Sequence, residues 1–321
     1  MKINKLSDNF TPLSEGIYFG IETEEETPTD LIVEILELST GEVVATQLLR
    51  NVLSATVNIA PYMEHFVQRA PSSHRQTAFS EAPTAGYKIR IDGIESEEII
   101  VSINRCKIDT TPSLITSFPK RRRIACGESD EVVIISGKGN KIYAEIESES
   151  GEMLNYEYLP TSEASILTIS PDDFEREAKE FDVVIYCAGK VLGTLCYVVT
   201  QPLKSAVRLA WISESGAIER YTFPTSYKST LSTEKRSIMT NEGLCTAHCR
   251  AKQIISLCSR FESCTTIEAL AQIATSPRVW IEHNGHYLPI DVTSPEINYN
   301  IFGEPSHIHF NICLWQKEVA L

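Results

Sequence analysis

The sequence predicts a mainly β protein: two antiparallel β-sandwich-like domains followed by a β-rich α+β C-terminal domain with one amphipathic helix. Three observations carry that prediction. Short runs with period-two alternation, bounded by turn residues, recur from Ile17 to Val199, which is the pattern of half-buried strands. Only one segment combines a capping signal with apolar residues at helical spacing, and it begins near Thr265. The chain of 321 residues, 42% hydrophobic and 22% charged, has a globular composition and is too long for one core. Domain boundaries are therefore expected at residues 1–105, 106–202 and 203–321.

In the first domain the strand runs are Ile17 to Glu22, Leu31 to Leu38, Val43 to Leu49, Tyr87 to Ile91 and Glu98 to Ile103. Ser39-Thr40-Gly41-Glu42 and Asp92-Gly93 supply turns. Pro61 to Gln68 reads as a short helical turn with proline at its first position, and Arg69 to Gly86 reads as a mobile loop. The second domain carries runs at Glu131 to Ser136, Lys141 to Glu147, Ile166 to Ile169, Asp182 to Ala188 and Val191 to Val199. Gly137-Lys138-Gly139-Asn140 and Gly189-Lys190 look like hairpin turns. Ser170-Pro171-Asp172-Asp173 is expected to open a short helix reaching about Glu180. Gln201 to Lys204 forms the boundary to the third domain.

In that domain Thr265-x-x-Glu268 reads as a capping box, with Ile267, Leu270, Ala271 and Ala274 on one face and Ser276-Pro277 as the stop. Asn284-Gly285 then joins Arg278 to His283 with His286 to Val292 in a type I′ hairpin, which places His283 opposite His286. Pro289 implies that the second strand of this hairpin is an edge.

Lys plus Arg number 29 against 43 Asp plus Glu, a net charge of −14. Such a field opposes attraction to nucleic-acid phosphates and anionic lipid, so no nucleic-acid partner is expected. The longest apolar runs fall far short of the ~20 residues of a bilayer span, so no membrane span is expected either. The opening MKINKLSDNF lacks the apolar core of a secretory signal, which points to cytoplasmic synthesis. Nine cysteines, an odd number, read as reduced structural thiols.

Lys120-Arg121-Arg122-Arg123 reads as a solvated linker or as a partner for Glu128, Asp130 and Glu131, and Glu22 to Glu26 as a solvated acidic loop. The candidate metal ligands are His283, His286, His307 and His309: a cross-strand pair and an H-x-H pair that together could offer three or four nitrogens. Joining the pairs needs a sheet contact that spacing does not supply, so the reading taken is no metal site and no cofactor. Cys245, Cys249, Cys258 and Cys264 fit no zinc spacing and read as core thiols around a strand. G-x-S-x-G, H-E-x-x-H and P-loop patterns are all missing, and no catalytic residue is assigned.

The stretch Arg208 to Phe223, RLAWISESGAIERYTF, reads as two strands around a glycine turn, with Leu209 and Trp211 on one arm and Tyr221 and Phe223 on the other. It resembles a pattern of structural proteins of tailed phages and prophages, L-x-W-[IL]-N-x-x-G-x-x-[DE]-x-Y-x-F, with Ser213 in place of the usual Asn. The order helix, Ser276-Pro277, strand, Tyr287 to Val292 is also similar to tail-tube, distal-tail and baseplate-type proteins. Weaker likenesses lie at Asn51 to Phe66 and Ile115 to Asp130. The resemblance implies a virion-associated structural protein that is not an enzyme and whose partners are copies of itself and neighbouring structural proteins. The alternatives are a β-sandwich ligand- or surface-binding module and a hydrolase with an unrecognised site.

Overall fold

The computed structural model describes residues 1–63, 70–102, 104–105, 112–175, 177–241, 243–294 and 305–320. The protein is mainly β, as the alternation predicts, with strands gathered into several sheets, antiparallel except where Arg121–Ala125 pairs in parallel with Lys190–Thr200, around three principal apolar cores.

The first unit contains β1 (Lys2–Lys5), β2 (Tyr18–Glu22), β3 (Thr29–Glu37), β4 (Val43–Val52), β5 (Ser54–Asn58), β6 (Ala78–Glu81), β7 (Thr84–Ile91), β8 (Ile94–Glu95) and β9 (Ile99–Ser102). One sheet is ordered β1-β2-β5 and the other β4-β3-β7-β8, with β9 also on β7. Alternate residues turn inward: Phe19 and Ile21 from β2, Val33 and Ile35 from β3, Ile89 and Ile91 from β7 are all buried. The Asp92-Gly93 turn has positive φ at both positions, 49° and 82°, as a two-residue hairpin requires.

Of two expectations here, one fails and the other holds as far as its residues are described. The expected mobile loop from Arg69 to Gly86 is not loose throughout: its described residues, 70–86, contain β6, which crosses over to pair with the second unit's sheet. Ahead of β6, the Ser72 amide donates to Glu131 at 3.0 Å and Thr77 to Asp173 at 2.6 Å, so backbone groups without a ladder partner find carboxylates instead. The predicted turn at Pro61 is a short 3-10 helix at Ala60–Tyr62; the rest of that prediction, residues 64–68, lies outside the described residues.

The second unit contains β10 (Ser113–Ile115), β11 (Arg121–Ala125), β12 (Asp130–Ile135), β13 (Ile142–Ser148), β14 (Met153–Tyr158), β15 (Ala164–Ile169), β16 (Glu180–Cys187) and β17 (Lys190–Thr200). Its sheets, β10-β12-β15-β6 and β11-β17-β16-β13-β14, enclose a core that includes Val132, Ile134, Phe181, Ile185 and Tyr197. Gly137 to Asn140 is therefore a crossover between sheets and not a hairpin, since β12 and β13 lie in opposite layers. The helix expected up to Glu180 is only a 3-10 turn, Pro171–Asp173, with Ser170 accepting from the Asp172 amide at 3.2 Å.

The third unit contains β18 (Val207–Ile212), β19 (Ile218–Phe223), β20 (Thr225–Thr240), β21 (Gly243–Cys258), α1 (Cys264–Ala271), β22 (Val279–His283), β23 (His286–Val292) and β24 (His309–Ala320). One seven-stranded sheet, ordered β19-β18-β22-β23-β24-β21-β20, packs Leu209, Trp211, Phe223, Leu257 and Phe310 against Ile267 and Leu270 of α1. The helix cap is Ser263, whose hydroxyl accepts from the Thr266 amide at 3.3 Å, two residues before the expected Thr265. The hairpin at Asn284 (φ 52°) and Gly285 (φ 77°) has the predicted register, His283 opposite His286. β23 is not a free edge, because Asp291 and Val292 pair with β24; Pro289 falls short of that paired stretch.

The β18–β19 hairpin is where all three units meet. Its tight turn, Gly216 at φ 92° and buried Ser213 bonded to Ser215 and the Ala217 carbonyl, puts Ala217 into the first unit's core. One face of the hairpin feeds the α1 core; the other sends Arg208 and Arg220 into the second unit. Arg220 pairs with Glu131 at 2.7 Å, Arg208 with Glu128 at 2.7 Å, and Arg122 lies between Asp130 at 2.8 Å and Glu219 at 3.4 Å. The basic run pairs with Asp130 as expected, but it is not wholly solvated: Arg122 is buried, while Arg121 reaches Glu180 and Arg123 reaches Glu262. Burial acts against the charged form of Asp130, but the Arg122 and Arg220 guanidiniums outweigh it and hold the carboxyl below its ordinary value. Burial dominates at Glu219, whose carboxyl is pushed up despite Arg122.

Candidate functional site

Two features are not consumed by core packing. The first is a β-arm. β20 and β21 are 16 residues each, a span of roughly 50 Å at ~3.3 Å per residue. Every residue from Lys228 to Asn241 is exposed, and β21 becomes buried only at Ser256 and Leu257, where the arm joins the α1 core. β24 supports β21 from Cys258 out to His248; towards the tip the hairpin continues as two strands. Leu231, Ile238, Met239 and Leu244 are between 50% and 76% exposed along this arm, more apolar surface than a solvated hairpin needs. Charge is unevenly placed too: residues 225–258 hold five Lys or Arg against two Glu, in a chain whose net charge is −14. The acidic Glu22 to Glu26 loop, at the other end of the sequence, is exposed as expected, with Glu24 accepting from the N-terminal ammonium at 2.8 Å.

The second feature is a cluster of Cys258, His307 and His309, whose donor atoms all lie within 4.8 Å of one another. The β21–β24 register sets Cys258 directly opposite His309, and His307 is two residues back along the same face. Cys258 Sγ lies 3.8 Å from His309 Nε2, and the two imidazole rings stand edge to face at 4.8 Å. Phe261 packs edge-on against His307 at 5.1 Å. Burial pushes the Cys258 thiol above its ordinary value; burial, and then the neighbouring His307, lower His309.

Of the four histidines singled out by sequence, the structure brings His307 and His309 together but leaves His283 and His286 apart from them as an exposed pair at the tip of β22–β23. Cys258 was missed as their partner. Fifty-one positions separate it from His309, and only the β21–β24 register joins them. Of the eight described cysteines, read from the sequence as reduced structural thiols, only Cys187 is buried; those on β21 are half-buried and not core.

No family model and no curated protein matches this chain. Solved structures that overlay on it include the FN1–FN3 domains of chicken CNTN1 (8% identity, 80% of this chain and 91% of that one, TM-score 0.23). Two others are a chicken interferon gamma receptor alpha chain (10%, 62% and 98%, 0.19) and a tetra-tandem repeat in the extending region of a large adhesion protein (9%, 79% and 69%, 0.23). Overlaps this loose carry no argument; the fold rests on the strand registers above. None of these comparisons links the chain to phage tail or baseplate proteins. Among the described residues, no helix is long and apolar enough to cross a membrane.

Proposed function

We propose that the protein is non-enzymatic and works by protein–protein contact, its basic β-arm docking on the acidic body of a second copy. The observation that carries this reading is the arm itself: a 16-residue edge strand exposed along nearly its whole length, with Leu231, Ile238 and Met239 uncovered. Unpaired N–H and C=O groups on such an edge are a template for another chain, and Lys228, Lys235 and Arg236 match the opposite sign of the remaining surface. Arm onto body is a heterologous contact, which closes into a ring or runs on as a filament. The finer form of the proposal is a tail or baseplate-type component of a phage or prophage: the stretch that resembles a motif of those proteins is the β18–β19 hairpin, which leads directly into the arm.

Light scattering and sedimentation across a wide concentration range test this. Assembly should grow with concentration, weaken with salt as screening shortens to about 3 Å at 1 M, and vanish in Ile238→Asp/Met239→Asp. A chain that stays monomeric throughout, or assembles equally well with the arm variant, overturns it.

A second reading, a surface-binding module, is favoured by one specific patch. On the outer face of the second unit Tyr143 and Tyr186 stand 5.8 Å apart beside Lys141 and Glu157, each hydroxyl held by Asn155 or Glu145. Rings fixed in this way suit stacking on an extended polar ligand. Glycan or cell-surface binding abolished by Tyr186→Ala, with no self-assembly, would favour this module over the arm.

A further inference from the structure

We infer that Cys258, His307 and His309 form a binding site for a zinc-like divalent transition-metal ion, three protein ligands with the fourth position open. This inference is independent of the assembly reading. A tetrahedral ion with bonds of about 2.3 Å to sulfur and 2.0–2.1 Å to nitrogen needs S···N separations of roughly 3.6 Å and N···N separations of roughly 3.4 Å. The Cys258 Sγ to His309 Nε2 distance of 3.8 Å is already close to that span, and the limit of 4.8 Å for the whole set leaves a closure that side-chain rotation can supply.

The backbone beneath the donors is fixed. The Ser259 amide donates to the Ile308 carbonyl at 3.0 Å, and the Ile308 amide donates to Ser259 Oγ at 3.0 Å. One step further out, Glu262 and Ser306 exchange both backbone hydrogen bonds, at 2.8 and 3.0 Å. The neighbours Leu257, Ile308 and Phe310 are buried in the α1 core, so strand alternation commits Cys258, His307 and His309 to the outer face. The donors are therefore aimed by the same core that stabilises the unit.

The donor set selects the ion. One thiolate and two imidazoles suit zinc, cobalt or copper, whereas calcium and magnesium take oxygen ligands, and no carboxylate belongs to this cluster. The bound ion would clip the end of β21 to the start of β24 at the root of the arm, cross-linking two points 51 residues apart. Binding replaces the thiol proton with the metal: Cys258 S–H loses its proton to solvent and an S–metal bond forms, with no change of oxidation state for zinc or cobalt.

The test is titration of the full, reduced chain with cobalt(II), followed by its visible d–d bands and the ultraviolet thiolate-to-cobalt band, with zinc as competitor. One equivalent should give a tetrahedral spectrum that zinc abolishes. Cys258→Ser should remove the thiolate band, and His309→Ala or His307→Ala should weaken binding by at least the roughly 10–100-fold lost with an outer-shell partner. His283→Ala/His286→Ala should change nothing. The wild-type stoichiometry does not depend on any variant folding, and Cys258→Ser keeps the shape of the side chain. A wild-type chain that gives no tetrahedral spectrum overturns the site, as does a thiolate band that survives Cys258→Ser or is lost in the His283/His286 variant.

Discussion

Replacing Arg220 by Met should destabilise the protein by about 3–5 kcal/mol, and so should replacing Glu131 by Met, yet the two together should cost far less than their sum. The ion pair is 2.7 Å long with both side chains at most 1% exposed. At an effective dielectric of ~20 the attraction is about 6 kcal/mol, comparable with the desolvation of the two ions, so the intact pair lies near balance against an apolar replacement. Removing one partner leaves the other charge buried and uncompensated, which is where the single-variant loss arises. Arg220 also donates to the Ser72 carbonyl at 3.2 Å and to the Tyr287 hydroxyl at 3.0 Å, and each bond contributes a further ~1 kcal/mol that the double variant does not recover. Urea unfolding of the four proteins, read from the buried Trp211 and Trp280, gives the coupling energy directly. Losses that add to within ~0.5 kcal/mol would show that Arg220 and Glu131 are not coupled and would refute the interior ion pair.

Gly285→Val should cost about 1–3 kcal/mol, because a β-branched residue is strained at φ 77° and its Cβ would come within 3.4 Å of Arg75 Nη2; thermal melts beside Gly41→Val, on a different hairpin, measure it. His283→Ala should stay within ~0.5 kcal/mol, since that ring is exposed at the hairpin tip and lies outside the Cys258 cluster. Glu81 gives a pH signature: burial acts against its charged form, but donors from Ser162, Tyr158 and Thr161 prevail and bring its carboxyl down to about 2. Its folded value lies below the ordinary 4.5, so its contribution is complete above that pH and is lost as pH falls towards 2. The wild type should therefore lose more stability than Glu81→Gln across that window, as read by denaturant midpoints.

What the sequence shows and what it hides divides along a physical line. Local chemistry was legible: the hairpin register at Asn284-Gly285, the hairpin turn at Gly189 and the burial of Ile267 and Leu270 on α1 follow from neighbours a few residues apart, although Ala274, expected on the same face, is exposed beyond the end of α1. Long-range pairing was not. Gly137 to Asn140 carries the residues of a hairpin turn, yet it links opposite sheets, because both kinds of connection need positive φ and only the partners of the flanking strands tell them apart. β6 has just four residues, mostly exposed, and it becomes a strand only because β15 offers it a free edge. The pairing of Arg122 with Asp130, eight positions on, was legible, but its burial was not, because that also depends on Glu219, nearly a hundred positions away.

The same reasoning shows what constrains the β18–β19 segment. Each of its positions answers to a different neighbour: Leu209, Trp211, Tyr221 and Phe223 to the α1 core, Arg208 and Arg220 to carboxylates of the second unit, and Ala217 to the first unit's core. The glycine turn at φ 92° is needed for the hairpin to reverse tightly enough to make that last contact, and buried Ser213 satisfies the turn's polar groups where Asn is usual in the resembling pattern. On the arm that follows, nothing beyond β24's support of β21 covers Leu231, Ile238 and Met239 among the described residues, and that exposure is what supports the proposed assembly. Those residues carry the case for assembly, and Ile238→Asp/Met239→Asp is the variant on which that case stands or falls.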